Sequence, residues 1–334
     1  MDDHTSALFL YEEAMAYTYS AALRTAAALG VADHLDDTPA DLGPLAEATG
    51  ARPDALRRVL RLLASRGVFD EHPGDRFSLG DRGRALRGDS TAPASPGVLM
   101  FTDTMFWTMT HRLPESVRDA RPEFARFFGR TLPEYLDSDP ALDGLYYEGM
   151  ATVSDAENAL VVRGCELPAH GVVADLGGRN GSLLASALRE HPGLSGVLFD
   201  RPGAVDTGRL EAAEDLRGRW RTAEGDFFTE VPPADVHLLK RILHNWDDEQ
   251  SVRILENCRR ALRPGGRVLV VDAIVPQDGT EHQGKAMDLM MLAALTGRER
   301  SAAELEPLFT EAGLRLSRVM GTSSVMSVAE GVIA

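Results

Sequence analysis

The sequence predicts an α/β domain with a mainly parallel sheet, preceded by a mainly helical region that contains the outline of a winged helix. Three observations carry this prediction. The apolar run Val172–Leu176 passes into a turn bearing Gly177, Gly178 and Gly181, and then into Ser182–Glu190 with apolar residues at helical spacing. From Gly171 onward, short apolar runs alternate with helical stretches, the pattern of a parallel sheet with crossover helices. Before residue 80, three helical segments precede a hairpin pattern.

The first segment, Leu8 to Gly30, reads as one helix rich in Ala, Leu and Tyr, with too few charges to be solvated on every side. Thr38-Pro-Ala-Asp41 has the form of a capping box with proline at the first helical position, for a helix ending near Gly50. A further helix starts at Pro53 and places Leu56, Val59, Leu60 and Leu63 on one face. Gly67 stops it, and Val68–Leu79 reads as a hairpin turned at His72-Pro-Gly-Asp75. Residues 89–97 form a polar, proline-containing linker, and 98–162 read as helical with many large soft side chains. Strands are expected near 172–176, 196–200, 220–224, 235–241 and 267–273, with a closing pair near 314–320 and 323–333.

The totals narrow the function classes. At 334 residues the chain has room for two domains, and its hydrophobic share of 44% is ordinary for a soluble enzyme. No apolar run approaches the roughly 20 residues of a membrane span, and the acidic N-terminus lacks a signal-peptide pattern. Two cysteines, Cys165 and Cys258, imply no disulfide framework, and a reduced cytoplasmic setting is expected. The formal charge of −16 argues against nonspecific nucleic-acid binding. No His/Cys/carboxylate cluster has zinc or iron spacing, so no metal is expected.

Chemistry concentrates at predicted strand ends, where open α/β sheets bind ligands. Asp175 precedes the glycine turn, and Asp200 ends the second strand, near the spacing of an acid that takes ribose hydroxyls. Asp226-Phe227 follows the third strand, offering a carboxylate for an amino group and a ring for stacking; Asp226 also suits a plain turn. The fourth strand ends at Lys240 and leads to His244, a candidate general base, with Asp272 and Glu299 available to hold its imidazole. Met105 and Trp107 in one segment and Met150 in another are candidate acceptor contacts, together with Asp288 and Met291 just before Gly297-Arg-Glu-Arg300.

Asp175-Leu-Gly-Gly resembles the first motif of S-adenosylmethionine (SAM) dependent methyltransferases. With Leu198-Phe-Asp-Arg-Pro202, Gly225-Asp-Phe227, His244-Asn-Trp-Asp-Asp248 and Gly297-Arg-Glu-Arg300, nearly the whole chain resembles small-molecule O-methyltransferases of the caffeic acid type, including those that tailor aromatic polyketides. The resemblance implies a winged-helix dimerisation domain over 1–97 and a helical linker and substrate region over 98–165. It implies a Rossmann-like class I methyltransferase domain over 166–334, in a cytoplasmic homodimer of secondary metabolism that uses SAM. It places SAM contacts at Asp175, Gly177, Gly178, Asp200, Asp226, Phe227 and Lys240, the base at His244, and its flanking acids at Asp272 and Glu299.

Two positions depart from the family pattern: Asn245 stands where Asp is common, and Arg179 where a third consecutive glycine is common. Arg179 either takes a left-handed backbone, offset by a contact to the SAM carboxylate, or keeps ordinary φ and points to solvent. Two rival functions remain open: a SAM-binding relative with non-methyl chemistry (hydroxylation, decarboxylation or ring formation), and a SAM-sensing DNA-binding regulator using Arg57, Arg58, Arg61 and Arg66.

Overall fold

A computed structural model describes residues 3–334, which form two compact units. The first runs to Trp107 and includes Leu136–Val153; the second comprises Thr108–Tyr135 and Ser154–Ala334.

The first unit begins with α1 (Asp3–Met15) and α2 (Tyr17–Ala28). The expected single helix is therefore longer at its start and interrupted at Ala16, which keeps helical φ and ψ of −58° and −26°. There the amides of Ala16 and Tyr19 bond back three residues, a local tightening rather than a true break. Strand β1 (Ala40–Asp41), α3 (Leu42–Ala48), α4 (Pro53–Ala64), β2 (Phe69–His72) and β3 (Arg76–Leu79) complete the winged-helix outline, with sheet order β1-β3-β2. The capping box at Thr38 does not form. Ala40 and Asp41 pair with Phe77 and Arg76 instead, and this pairing delays the helix to Leu42. Leu56, Leu60 and Leu63 of α4 are buried with Phe69 and Phe77 in one core, against which Val59 packs.

The helical middle is a series of short pieces: α5 (Ser95–Phe101), α6 (Thr104–His111), α7 (Leu113–Asp119), α8 (Phe124–Phe128), α9 (Leu132–Asp137) and the long α10 (Pro140–Gly164). Helix α5 thus begins inside the expected linker. The punctuation is chemical: prolines 114, 133 and 140 sit in first turns, while Ala120 and Gly129 leave α7 and α8 with φ of 49° and 74°.

In the second unit come β4 (Gly171–Leu176), α11 (Ser182–Glu190), β5 (Leu194–Asp200), α12 (Gly208–Glu211), β6 (Trp220–Glu224) and β7 (Ala234–Lys240). They are followed by α13 (Asp248–Ala261), β8 (Leu262–Asp272), α14 (Gln283–Ala294), α15 (Ala302–Glu311), β9 (Leu314–Gly321) and β10 (Ser327–Ile333). The sheet order is β6-β5-β4-β7-β8-β10-β9. The first five strands are parallel; the last two close the edge antiparallel, as their position in sequence suggests. Alternate residues feed opposite layers: Val173 packs with Leu183 and Leu188, whereas Ala174 and Leu176 pack with Ile254, Leu255 and Phe309. The order of connections reverses between β4 and β7, which opens a crevice at their carboxyl ends.

Candidate active site

Each parallel strand delivers one polar side chain to this carboxyl edge: Asp175 from β4, Asp200 from β5, Asp226 just past β6, Lys240 from β7 and Asp272 from β8. The glycine turn lies above β4. Gly177 and Gly181 have φ of 73° and 68°, and a Cβ at Gly177 would sit 2.5 Å from Ile242 Cδ1. Only glycine lets the turn approach this close.

Arg179 adopts φ 42°, which rules out the ordinary-φ alternative. Two backbone bonds hold it there: its amide donates to Asp200 Oδ2 (3.1 Å), and its carbonyl accepts from the Asp206 amide (2.9 Å). Asp200 Oδ1 accepts from the Arg201 amide at 2.8 Å.

Asp175 is fully buried, and Oδ2 has no hydrogen-bond partner among the described residues. Burial pushes its carboxyl up to about 7, against the pull of the Lys240 ammonium. Asp226 forms the turn that its sequence also allowed, Oδ1 accepting from the Phe228 amide at 2.9 Å. Phe227 stands edge-on to Phe228 and Trp246, and its Cε1 is 4.0 Å from the position a Gly177 Cβ would take.

Lys240, expected to contact the cofactor, is engaged by α10. Its Nζ donates to Ser154 O (2.9 Å), Ser154 Oγ (2.9 Å) and Asn158 Oδ1 (2.8 Å), and pairs with Glu157 at 3.3 Å. An ammonium has three protons, and α10 supplies acceptors for all of them. Burial lowers Lys240 to about 8, with Glu157 opposing that shift.

His244 lies on a one-turn 3-10 segment, 243–245, and is buried. Its Nδ1 is 2.9 Å from Glu299 Oε1. Asp272 is also buried with Oδ1 unpartnered; burial pushes it up to about 7, which the His244 ring opposes and Glu299 reinforces. Asp288 fixes the acid's backbone, Oδ1 accepting from the Glu299 amide at 2.9 Å, and burial raises its own pKa.

The Gly297–Arg300 motif has a mechanical reading. A Cβ at Gly297 would lie 1.9 Å from His244 O, so that glycine lets the Glu299 loop close against the histidine turn. The buried Arg300 guanidinium then staples the turn, donating to Leu243 O (3.0 Å), Trp246 O (2.7 Å) and Asp248 Oδ1 (2.8 Å). Asn245, the second family departure, donates through Nδ2 to Arg241 O at 2.9 Å, so it braces the turn from the other side.

Residues 110–315 match the O-methyltransferase domain, and residues 11–88 match the O-methyltransferase dimerisation domain. The chain belongs to the O-methyltransferase family. This O-methyltransferase is 35% identical over 316 residues to phenazine O-methyltransferase PhzM of Lysobacter antibioticus, covering 94% of this chain and 92% of that one. It superposes with a TM-score of 0.95, at 62% identity and 100% coverage of both chains, on the SAH-bound structure of CalO1, a methyltransferase in calicheamicin biosynthesis. It is also 35% identical over 324 residues to aclacinomycin 10-hydroxylase RdmB of Streptomyces purpurascens, covering 91% of this chain and 84% of that one.

Within its second unit, this O-methyltransferase gathers His244, Glu299, Asp272 and Asp288 into one cluster, with Met291 buried farther along α14. In the first unit Met105 is buried in α6, Trp107 is 39% exposed and Met150 is half-buried in α10. Sequence reasoning missed Ser154, Glu157, Asn158 and Arg241, and it gave Arg300 no role. The available signal was the set of polar residues Ser154, Glu157 and Asn158 at spacing i, i+3 and i+4. No helix among the described residues is long and apolar enough to cross a membrane, and no group there has the makings of a metal site.

Proposed function

We propose that this chain is a SAM-dependent O-methyltransferase that methylates a phenolic hydroxyl of an aromatic natural-product intermediate, with His244 as general base. The observation that carries this reading is the buried His244–Glu299 pair at 2.9 Å, on the same sheet edge as the glycine turn. The fit to SAM rests on the close turn at Gly177 and Gly178 and on the acids around it. Asp200 suits the ribose hydroxyls, Asp226 the adenine amino group and Phe227 the ring, with Asp175 and Lys240 shaping the floor. When bound, SAM supplies a methyl group on an already activated sulfonium sulfur.

The protein's own contribution is proton handling and alignment. A phenol of pKa near 10 is mostly protonated at neutral pH. With Glu299 accepting from Nδ1–H, the lone pair is left on Nε2, where it takes the acceptor's proton as the new C–O bond forms. Glu299 and Asp272 stabilise the resulting imidazolium, and the proton then passes to water. Such a base contributes about 10² to 10⁴ in rate. Met105, Trp107, Met150, Asp288 and Met291 are assigned to acceptor alignment.

Residues 1–97 serve as the dimerisation domain, 98–165 as linker and substrate region, and 166–334 as the SAM domain. Helix α1 buries none of its residues within the chain, and Leu8, Phe9, Leu10, Tyr11 and Met15 are each more than half exposed, which suits a homodimer contact. The DNA-binding alternative loses support because Arg57 pairs with Asp75 (2.8 Å), Arg61 with Glu71 (2.7 Å), and Arg66 lies over Tyr19. Buried free cysteines at 165 and 258 fit a reducing, cytoplasmic setting.

The likeness to a relative named a hydroxylase keeps one second reading: SAM use without methyl transfer. Incubation with methyl-labelled SAM and a panel of phenols, hydroxyphenazines among them, separates the two. Label in the phenol supports methyl transfer; a modified acceptor without label supports the second reading.

A further inference from the structure

Ser154, Glu157 and Asn158 lie on one face of α10, at the i, i+3 and i+4 spacing that brings side chains together. Glu157 and Asn158 are buried, and Ser154, Glu157 and Asn158 each bond to a residue of the active-site framework. Asn158 uses both ends of its amide. Oδ1 accepts from Lys240 Nζ at 2.8 Å, while Nδ2 donates to Ser182 Oγ at 3.0 Å. Ser182 is the first residue of α11, directly after the glycine turn.

Glu157 reaches the other way. Its Oε1 accepts from Arg241 Nη2 at 2.8 Å and its Oε2 pairs with Lys240 at 3.3 Å. Arg241 has φ 56°, an unfavoured backbone for a residue with a Cβ. Its amide is tied to Val271 O at 2.9 Å, next to Asp272, and its carbonyl to the Asn245 side chain, next to His244. Arg241 is therefore the joint between β7 and the histidine turn, and Glu157 is what holds its guanidinium.

We propose that this face of α10 is a tether between the two halves of the site, in which Glu157 is a positioning residue for His244 through Arg241 and Asn158 is a positioning residue for the glycine turn through Ser182. Lys240 is the knot that keeps both on the same helix. The proposal rests on the methyltransferase reading of the site, but its two arms act on different observables. Glu157→Gln keeps the shape and removes the charge, leaving Lys240 and Arg241 as adjacent cations without the carboxylate they share. Its effect is carried to His244. Asn158→Ala frees Ser182 and the turn, so its effect falls on the cofactor.

The test is a paired measurement on the full-length protein: SAH affinity by calorimetry, and kcat and the SAM KM with any phenol the parent methylates. Glu157→Gln is expected to lower kcat about tenfold while SAH affinity stays within about twofold. Asn158→Ala is expected to raise the SAH Kd and the SAM KM together by about fivefold to tenfold, well beyond its change in kcat. Should Glu157→Gln fail to fold, Arg241→Gln breaks the same pair from the other partner and is expected to give the same split. Both variants moving kcat and SAH affinity alike, or neither moving either, would overturn the tether. If the parent itself transfers no methyl group, the methyltransferase reading fails, while the calorimetric result for Asn158→Ala still decides its arm of the proposal.

Discussion

Gly297→Ala is the smallest change that reaches the histidine turn without touching a reacting group. Gly297 does not have a positive φ, so conformational entropy alone favours alanine by about 0.4 to 1 kcal/mol. Packing decides the sign the other way. The new Cβ would lie 1.9 Å from His244 O, 2.6 Å from Asn245 C and 2.7 Å from Asn245 Cα, all backbone atoms that no side-chain rotation can clear. Carbon–oxygen contacts are comfortable from about 3.3 Å, so the Glu299 loop and the His244 turn must separate by more than about 1 Å. Arg300 resists that separation through its bonds to Leu243 O and Trp246 O. Overpacking of this kind costs about 1 to 3 kcal/mol, and a 1 Å misplacement of a catalytic group costs about 10² in rate. The expected result is a lowered Tm and a kcat reduced about 10², with SAH affinity by calorimetry within about threefold, since the glycine turn above β4 is untouched. A Tm equal to or above the parent's, with kcat within a few-fold, would show that this glycine does not seat the acid against the histidine.

Three further outcomes follow from the same geometry. Asp272, pushed up to about 7 by burial, binds its proton more tightly folded than unfolded, so its contribution to stability falls as pH rises from about 4 to 7 and is constant above. Asp272→Asn removes that dependence, and its Tm relative to the parent is expected to climb across this window and level off above pH 7; a pH-independent difference contradicts the assignment. Arg179→Gly relieves a left-handed backbone, so a gain of up to about 1 kcal/mol in stability is expected by denaturant unfolding, and a loss would show that the arginine side chain outweighs the strain. Light scattering at micromolar concentration is expected to give a dimer mass, which Leu8→Glu with Phe9→Glu on exposed α1 shifts toward monomer; a monomeric parent would remove the dimer reading.

Much of the second unit was legible because its signals are local. The run Val172–Leu176, the glycines after it and the apolar spacing of Ser182–Glu190 each specify their own conformation, and the strand-end acids then follow from topology. The capping signal at Thr38 was equally local but lost to pairing of Ala40 and Asp41 with β3, a competitor far along the chain. The helical middle read as one helical stretch because of its many large apolar side chains, but the first-turn prolines 114, 133 and 140 and the left-handed exits at Ala120 and Gly129 cut it into short pieces. His244 and Glu299 were found through their motifs. The Glu157 contacts were not, since they join residues more than 80 positions apart, and nothing at either end announces the other.

The claim at the centre is that His244 removes the acceptor's proton while Glu299 holds its ring. The most direct measurement compares His244→Ala with the parent for transfer of labelled methyl from SAM to a phenol, with SAM affinity measured alongside by calorimetry. The expected outcome is a rate reduced at least about 10², with SAM affinity within about twofold. Transfer retained within a few-fold, or a rate loss fully matched by lost SAM binding, would contradict it.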